Sequence, residues 1–230
     1  HFREVERTPG NLSFHDARNI TFEGDSFSHL GGVGLDFSGG AQENRIAYNI
    51  FQDISSSAVV LGGVSPADAR PASANDIVRD NAIVGNYIGE AGAEFIDAAG
   101  IFVGFSRNAT VARNYITDVP WAGVAIGWGW GLMDEGAFPG LVGATPNMWG
   151  QQTSPTIMEG NQITDNYITR FMQKAWDGGA IYTTGFQDGN VSDGLNGTVI
   201  ARNYAYDKTP GAGSNIFYTD GGSRFLELDG

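Results

Sequence analysis

Cysteine is missing from the 230 residues, which excludes disulfides, thiolate metal sites and cysteine nucleophiles. Histidine is scarce: His1, His15 and His29 all stand at the front of the chain, so a histidine-built metal centre or triad has few members to draw on. Neither a metal nor a cofactor is expected. Basic residues are few, 13 Lys and Arg against 26 Asp and Glu, and the resulting net charge of −13 repels a nucleic-acid backbone or an anionic membrane surface. No apolar run approaches the ~18 residues of a membrane-spanning helix. There is no phosphate loop, and the glycines of GWGWG (127–131) lack the following helix and ribose acid of a dinucleotide fingerprint. Glycine, by contrast, is plentiful at 34 residues, about twice the ordinary share. Disorder is nevertheless excluded, because 41% of the chain is hydrophobic and can build a core.

The chain repeats itself. IAYNIFQDI (46–54), IVGNYIGEA (83–91), VARNYITDV (111–119), ITDNYITRF (163–171) and IARNYAYDK (200–208) share an aliphatic residue, two variable residues and an Asn, and FEGDSFSHL (22–30) fits with Asp in that place. The markers are Asp25, Asn49, Asn86, Asn114, Asn166 and Asn203; the shortest spacing, 24 residues, is one rung, and the longer ones are a rung plus an insertion. A second short β-branched or aromatic run follows each marker: 32–37, 58–63, 100–105, 123–131, 179–185 and 215–222. Runs of this length without helical spacing read as strands. About 24 residues per rung with two or three strands in each predicts an all-β fold, a right-handed parallel β-helix with loops inserted between coils. The marker Asn side chains are expected to bond the backbone of the next coil and to take the left-handed turn conformation, so their role is structural. Residues 1–230 are expected to form one such domain. The opening HFREVERTPG reads as a cut or mature piece, RFLELDG (224–230) reads as the start of a further coil, and the rest of a longer chain is expected to pack on the ends.

Sites on such folds lie in a groove flanked by insertions, here at about 64–80, 89–99, 129–160, 172–178 and 186–197. All five tryptophans fall between 121 and 176. Trp128, Trp130, Trp149 and Trp176, with Tyr182, are expected to border one cleft, where aromatic faces stack on the apolar faces of sugars; each can also simply pack a loop onto the coil. Two carboxylates stand out. Asp177 in AWDGGAIY precedes one strand, with glycines that would keep its surroundings open, and Asp220 in FYTDGGS ends the strand of the next coil. Two acids on adjacent coils supply what glycosidic cleavage needs, a proton donor and a base or nucleophile, although an Asp before Gly is also an ordinary turn residue. Equivalent positions on stacked coils lie close, which leans towards a retaining reaction. Asp36, mid-strand in GLDF, and Glu94, in the 89–99 loop, are expected to line subsites.

The NYI coils, GVAIGWGWG, WDGGAIYT and FYTDGGS together resemble the right-handed parallel β-helix glycoside hydrolases of the pectate-lyase-like superfamily, most nearly glycoside hydrolase family 141, with its α-L-fucosidase and xylanase members. The resemblance implies a secreted hydrolase of plant or microbial polysaccharides or oligosaccharides, with Asp177 and Asp220 as the catalytic pair. Five N-x-[ST] sequons, from Asn11 to Asn196, fit a secreted protein but also arise by chance in so Asn-rich a chain. Two alternatives remain open: a polysaccharide lyase, which needs a cationic base or a charge-neutralising metal, and a non-catalytic carbohydrate-binding β-helix.

Overall fold

The computed structural model describes residues 7–131, 155–185, 187, 197–209 and 215–230. The coils contribute short strands to three parallel sheets, two of seven strands and one of six, with each strand inside a sheet paired to its equivalents in the preceding and following coils and the end strands paired on one side. This is a right-handed parallel β-helix. The second runs of the repeat become the first sheet, among them Val33–Ser38, Val59–Leu61, Ile101–Val103, Val124–Ile126, Ile181–Thr183 and Phe217–Thr219.

The strands are short, yet their register is fixed because alternate side chains fill the lumen. In the first sheet Leu35, Val59, Ile101, Val124 and Ile181 stack in one column. Ile46, Ile83, Val111, Ile163 and Ile200 do so in the second, and Phe51, Ile88, Ile116 and Ile168 in the third. All are buried in a single core. A slip of one residue would turn each column out to solvent.

The marker asparagines form the expected ladder. The backbone N–H of Asn49 donates to Oδ1 of Asn86 at 2.9 Å, Asn86 to Asn114 at 3.0 Å, Asn114 to Asn166 at 3.0 Å and Asn166 to Asn203 at 3.0 Å. Each Nδ2 of Asn86, Asn114 and Asn166 also reaches a carbonyl of the coil on the other side, Ile46, Ile83 and Val111 respectively. Removing such a buried amide leaves several groups unpaired, at about 1–3 kcal/mol each. The left-handed conformation, however, belongs to the residue before each marker: Gly24, Tyr48, Gly85, Arg113, Asp165 and Arg202 have φ between 52° and 78°. The marker must point its amide into the coil and offer its own N–H to the next one, so the reversal falls one position earlier. A second ladder, five residues upstream, runs through Asn44 and Asn81 (3.0 Å) and resumes at Asn161, which accepts from the N–H of Ala109 at 2.9 Å.

Candidate active site

On the outer face of the first sheet, the residues between the core positions stack as Asp36, Val60, Phe102, Ala125, Tyr182 and Tyr218. Solvent-facing positions in a strand are ordinarily exposed, but Asp36, Val60, Ala125 and Tyr182 are buried. Ala99, Ala122, Ala125 and Tyr182 form a second apolar cluster outside the coil, with Phe102, Trp121 and Tyr218 against it. Over this face lies a cleft of about 520 Å³, bordered by loop residues that include Phe95, Asp97, Trp128, Trp130, Trp176 and Asp177.

Asp177 and Asp220 are tied to this face by two neighbouring phenols. The rings of Tyr182 and Tyr218, register partners on adjacent strands, stack with centroids 5.6 Å apart and planes 19° from parallel. The Tyr218 hydroxyl donates to Oδ1 of Asp177 at 2.7 Å, and the Tyr182 hydroxyl donates to Oδ2 of Asp220. The bonds cross: each acid takes its hydroxyl from the other coil. Asp220 also accepts from the indole N–H of Trp130 at 2.7 Å and from the backbone N–H of Gly221 at 2.6 Å. Burial, reinforced by the hydrogen bond to Asp220, pushes the Tyr182 phenol well above its usual range, and the bond to Asp177 pushes Tyr218 up to about 12. Both phenols therefore remain protonated donors at any physiological pH.

Asp177 itself is exposed and adopts a left-handed backbone (φ 61°), a conformation Asp tolerates better than most residues. The glycine after it does not keep its surroundings open as expected. A Cβ on Gly178 would lie 2.3 Å from Nε1 of Trp121, whose indole packs there and donates to the Asp177 carbonyl at 3.2 Å. Gly127 is likewise forced, with φ 98° and the Thr184 carbonyl only 1.9 Å from where a Cβ would stand.

Trp128, Trp130 and Trp176 border the cleft as expected, and Trp176 is 77% exposed at its rim. Trp149 lies outside the described residues. Tyr182 forms part of the floor, with its hydroxyl engaged by Asp220. Asp36 belongs to the same outer column but four strands before Tyr182; it is buried and paired with Arg7, whose Nη2 lies 3.3 Å from Oδ2. Glu94 sits on the neighbouring loop, but the residues that loop gives to the cleft wall are Phe95 and Asp97–Ala99. Sequence reasoning places Tyr218 beside the acid pair but missed its hydrogen bond to Asp177, and it missed Phe102 and Trp121 as parts of the site. The parallel between AIYTTG and IFYTDG, which aligns Tyr182 with Tyr218, was the available signal. Among the described residues no group of three or more His, Asp or Glu is placed to hold a metal ion.

No family model matches the chain, and no curated protein sequence matches it. A solved structure titled "Glycoside hydrolase" superimposes with a TM-score of 0.70 at 20% sequence identity, over 97% of this chain. The chain spans 38% of the length of that structure.

Proposed function

We infer that this chain is the catalytic β-helix of a glycoside hydrolase in which Asp177 and Asp220 do the chemistry. The observation that carries this reading is the crossed pairing of two carboxylates with two stacked phenols beside a tryptophan-walled cleft. Asp220, with three donors on its oxygens, is suited to act as the carboxylate, and Asp177, with one donor and an exposed side chain, to act as the proton donor. Asp177 passes its proton to the glycosidic oxygen and the C1–O bond breaks with its electron pair on that oxygen. Water, relieved of a proton by Asp220, adds its oxygen to C1. Trp176 and Trp130 offer ring faces and edges to the sugar beside the reacting bond. The resemblance to family 141 and the glycoside hydrolase title of the structural neighbour point the same way. On this reading the protein is secreted and acts on a plant or microbial saccharide, and a further coil packs on its last one, where Phe217 and Leu228 are 43% and 58% exposed.

The test is a panel of aryl-glycosides and plant and bacterial polysaccharides, with wild type beside Asp177→Asn and Asp220→Asn. Each substitution should lower kcat by about 10²–10⁴-fold. Unchanged turnover in both variants would remove the catalytic assignment. Binding without any turnover would favour a carbohydrate-binding solenoid, and release of an unsaturated uronate, seen by its ultraviolet absorbance, would favour a lyase.

A further inference from the structure

The cleft extends well beyond the two acids. Its floor crosses five neighbouring strands, from Val33 to Tyr182, about 19 Å along the axis at roughly 4.8 Å per strand. The stretch leading away from Asp177 is made of Ala125, Phe102, Val60 and Val33, walled by Val64 and Phe95. A bare sugar presents a hydroxyl on nearly every carbon, and burying one without a partner costs about 1–3 kcal/mol. Sites that hold such a ring therefore converge charged or amide side chains on it. Here the described lining contains no Asn, Gln, Glu, His or Lys. Its charged members are Asp177, at the reacting end, Asp97, and Arg7, whose guanidinium is taken up by Asp36 and by the Gly62 carbonyl at 3.0 Å. The remaining polar side chains are the small hydroxyls of Thr8, Ser56, Ser57 and Thr184, the Tyr182 phenol, which is engaged by Asp220, and the indole N–H groups of four tryptophans.

We propose that this apolar stretch binds an uncharged apolar aglycone, aromatic or alkyl, attached to the sugar that sits at Asp177 and Asp220. The inference rests on the hydrolase reading for the placement of the sugar, and on the composition of the floor for the chemistry of what lies beside it. The cleft runs without a break from Asp177 to Val33, so a group leaving from the sugar's anomeric oxygen is directed onto Ala125 and Phe102. An anionic neighbour, such as a uronate, would meet Asp97 and Asp177 with no uncommitted cation in the described lining to balance it.

The experiment titrates the whole chain with methyl, hexyl and octyl glycosides of one sugar, each below its micelle concentration, and follows tryptophan fluorescence and sugar release together. The expected result is a dissociation constant at least about tenfold lower for octyl than for methyl. Phe95→Ser and Phe102→Asn should each weaken octyl binding far more than methyl binding and so remove most of that advantage. Phe95 is a half-exposed loop residue whose replacement spares the core, so the test survives a folding defect in the Phe102 variant. Equal affinity along the series, no binding at all, or equal weakening of methyl and octyl glycosides by Phe95→Ser would overturn the proposal. If octyl binds better and no sugar is released, the hydrolase reading fails and the apolar site stands; sugar release with no dependence on chain length is the reverse.

Discussion

Asp36 is a carboxylate held away from water, and burial raises its pKa above the ordinary 3.8, while Arg7, His15 and Ser38 pull it back. Arg7 lies within 3.4 Å of both oxygens. An acid with a folded-state value above its unfolded one holds its proton more tightly when folded. It therefore destabilises the fold above its folded value, and that penalty fades as pH falls through it towards 3.8. Removing the cation takes away the main compensation and raises the folded value further. Arg7→Ala should accordingly cost about 1–3 kcal/mol at neutral pH, and clearly less near pH 3.8, where the carboxyl goes neutral. Urea unfolding at the two pH values measures this. A loss of equal size at both would mean that Arg7 acts by packing its stem and not by its charge.

At the scale of strands and turns, the acids flank the phenol pair. Asp177 precedes Ile181–Thr183 and Asp220 follows Phe217–Thr219, so they come to the stacked rings from opposite ends of the strands, each bonded to the phenol of the other's strand. The repeat alone, which sets equivalent positions one strand spacing apart, leans towards a close pair and retention; the flanking arrangement leans the other way. Inversion asks for carboxyls about 6.5–9.5 Å apart and retention for about 5–5.5 Å. Proton NMR of the first-formed sugar should therefore show an inverted anomeric centre, and a retained one would mean that Asp220 attacks C1 itself. The difference marks what was legible in the sequence. The strands of the first sheet and the Asn49–Asn203 ladder were, because a period in the chain becomes a column in space. The second ladder escaped because Ala109 and Thr198 interrupt it. The phenol contacts escaped because they depend on the register of strands 36 residues apart and on which way two hydroxyls turn, and the Arg7–Asp36 pair because no local pattern links residues 29 apart.

For the whole molecule, stacking makes each coil's stability depend on its neighbours. Ile101 lies between Val59 and Val124 in the core column, with coils above and below it, and its N–H donates to Gly123 at 2.9 Å. Phe217 stands at one end of the same sheet, paired with Ile181 on one side only, and is 43% exposed although its position in the register is a core position. Leu228, at the corresponding end of the second sheet, is 58% exposed. Burying an apolar side chain contributes about 1.5–3 kcal/mol, and these end residues forgo much of it. Opening of the last coil therefore breaks one interface, while opening of a central coil breaks two. Hydrogen exchange on the chain should show a gradient: amides of Ile101–Val103 and Val124–Ile126 protected longest, those of Phe217–Thr219 and Leu226–Asp229 exchanging at least about tenfold faster. Uniform protection from one end to the other would mean that the coils unfold as a single unit, with the Asn ladder coupling them more strongly than the nearest-neighbour picture allows.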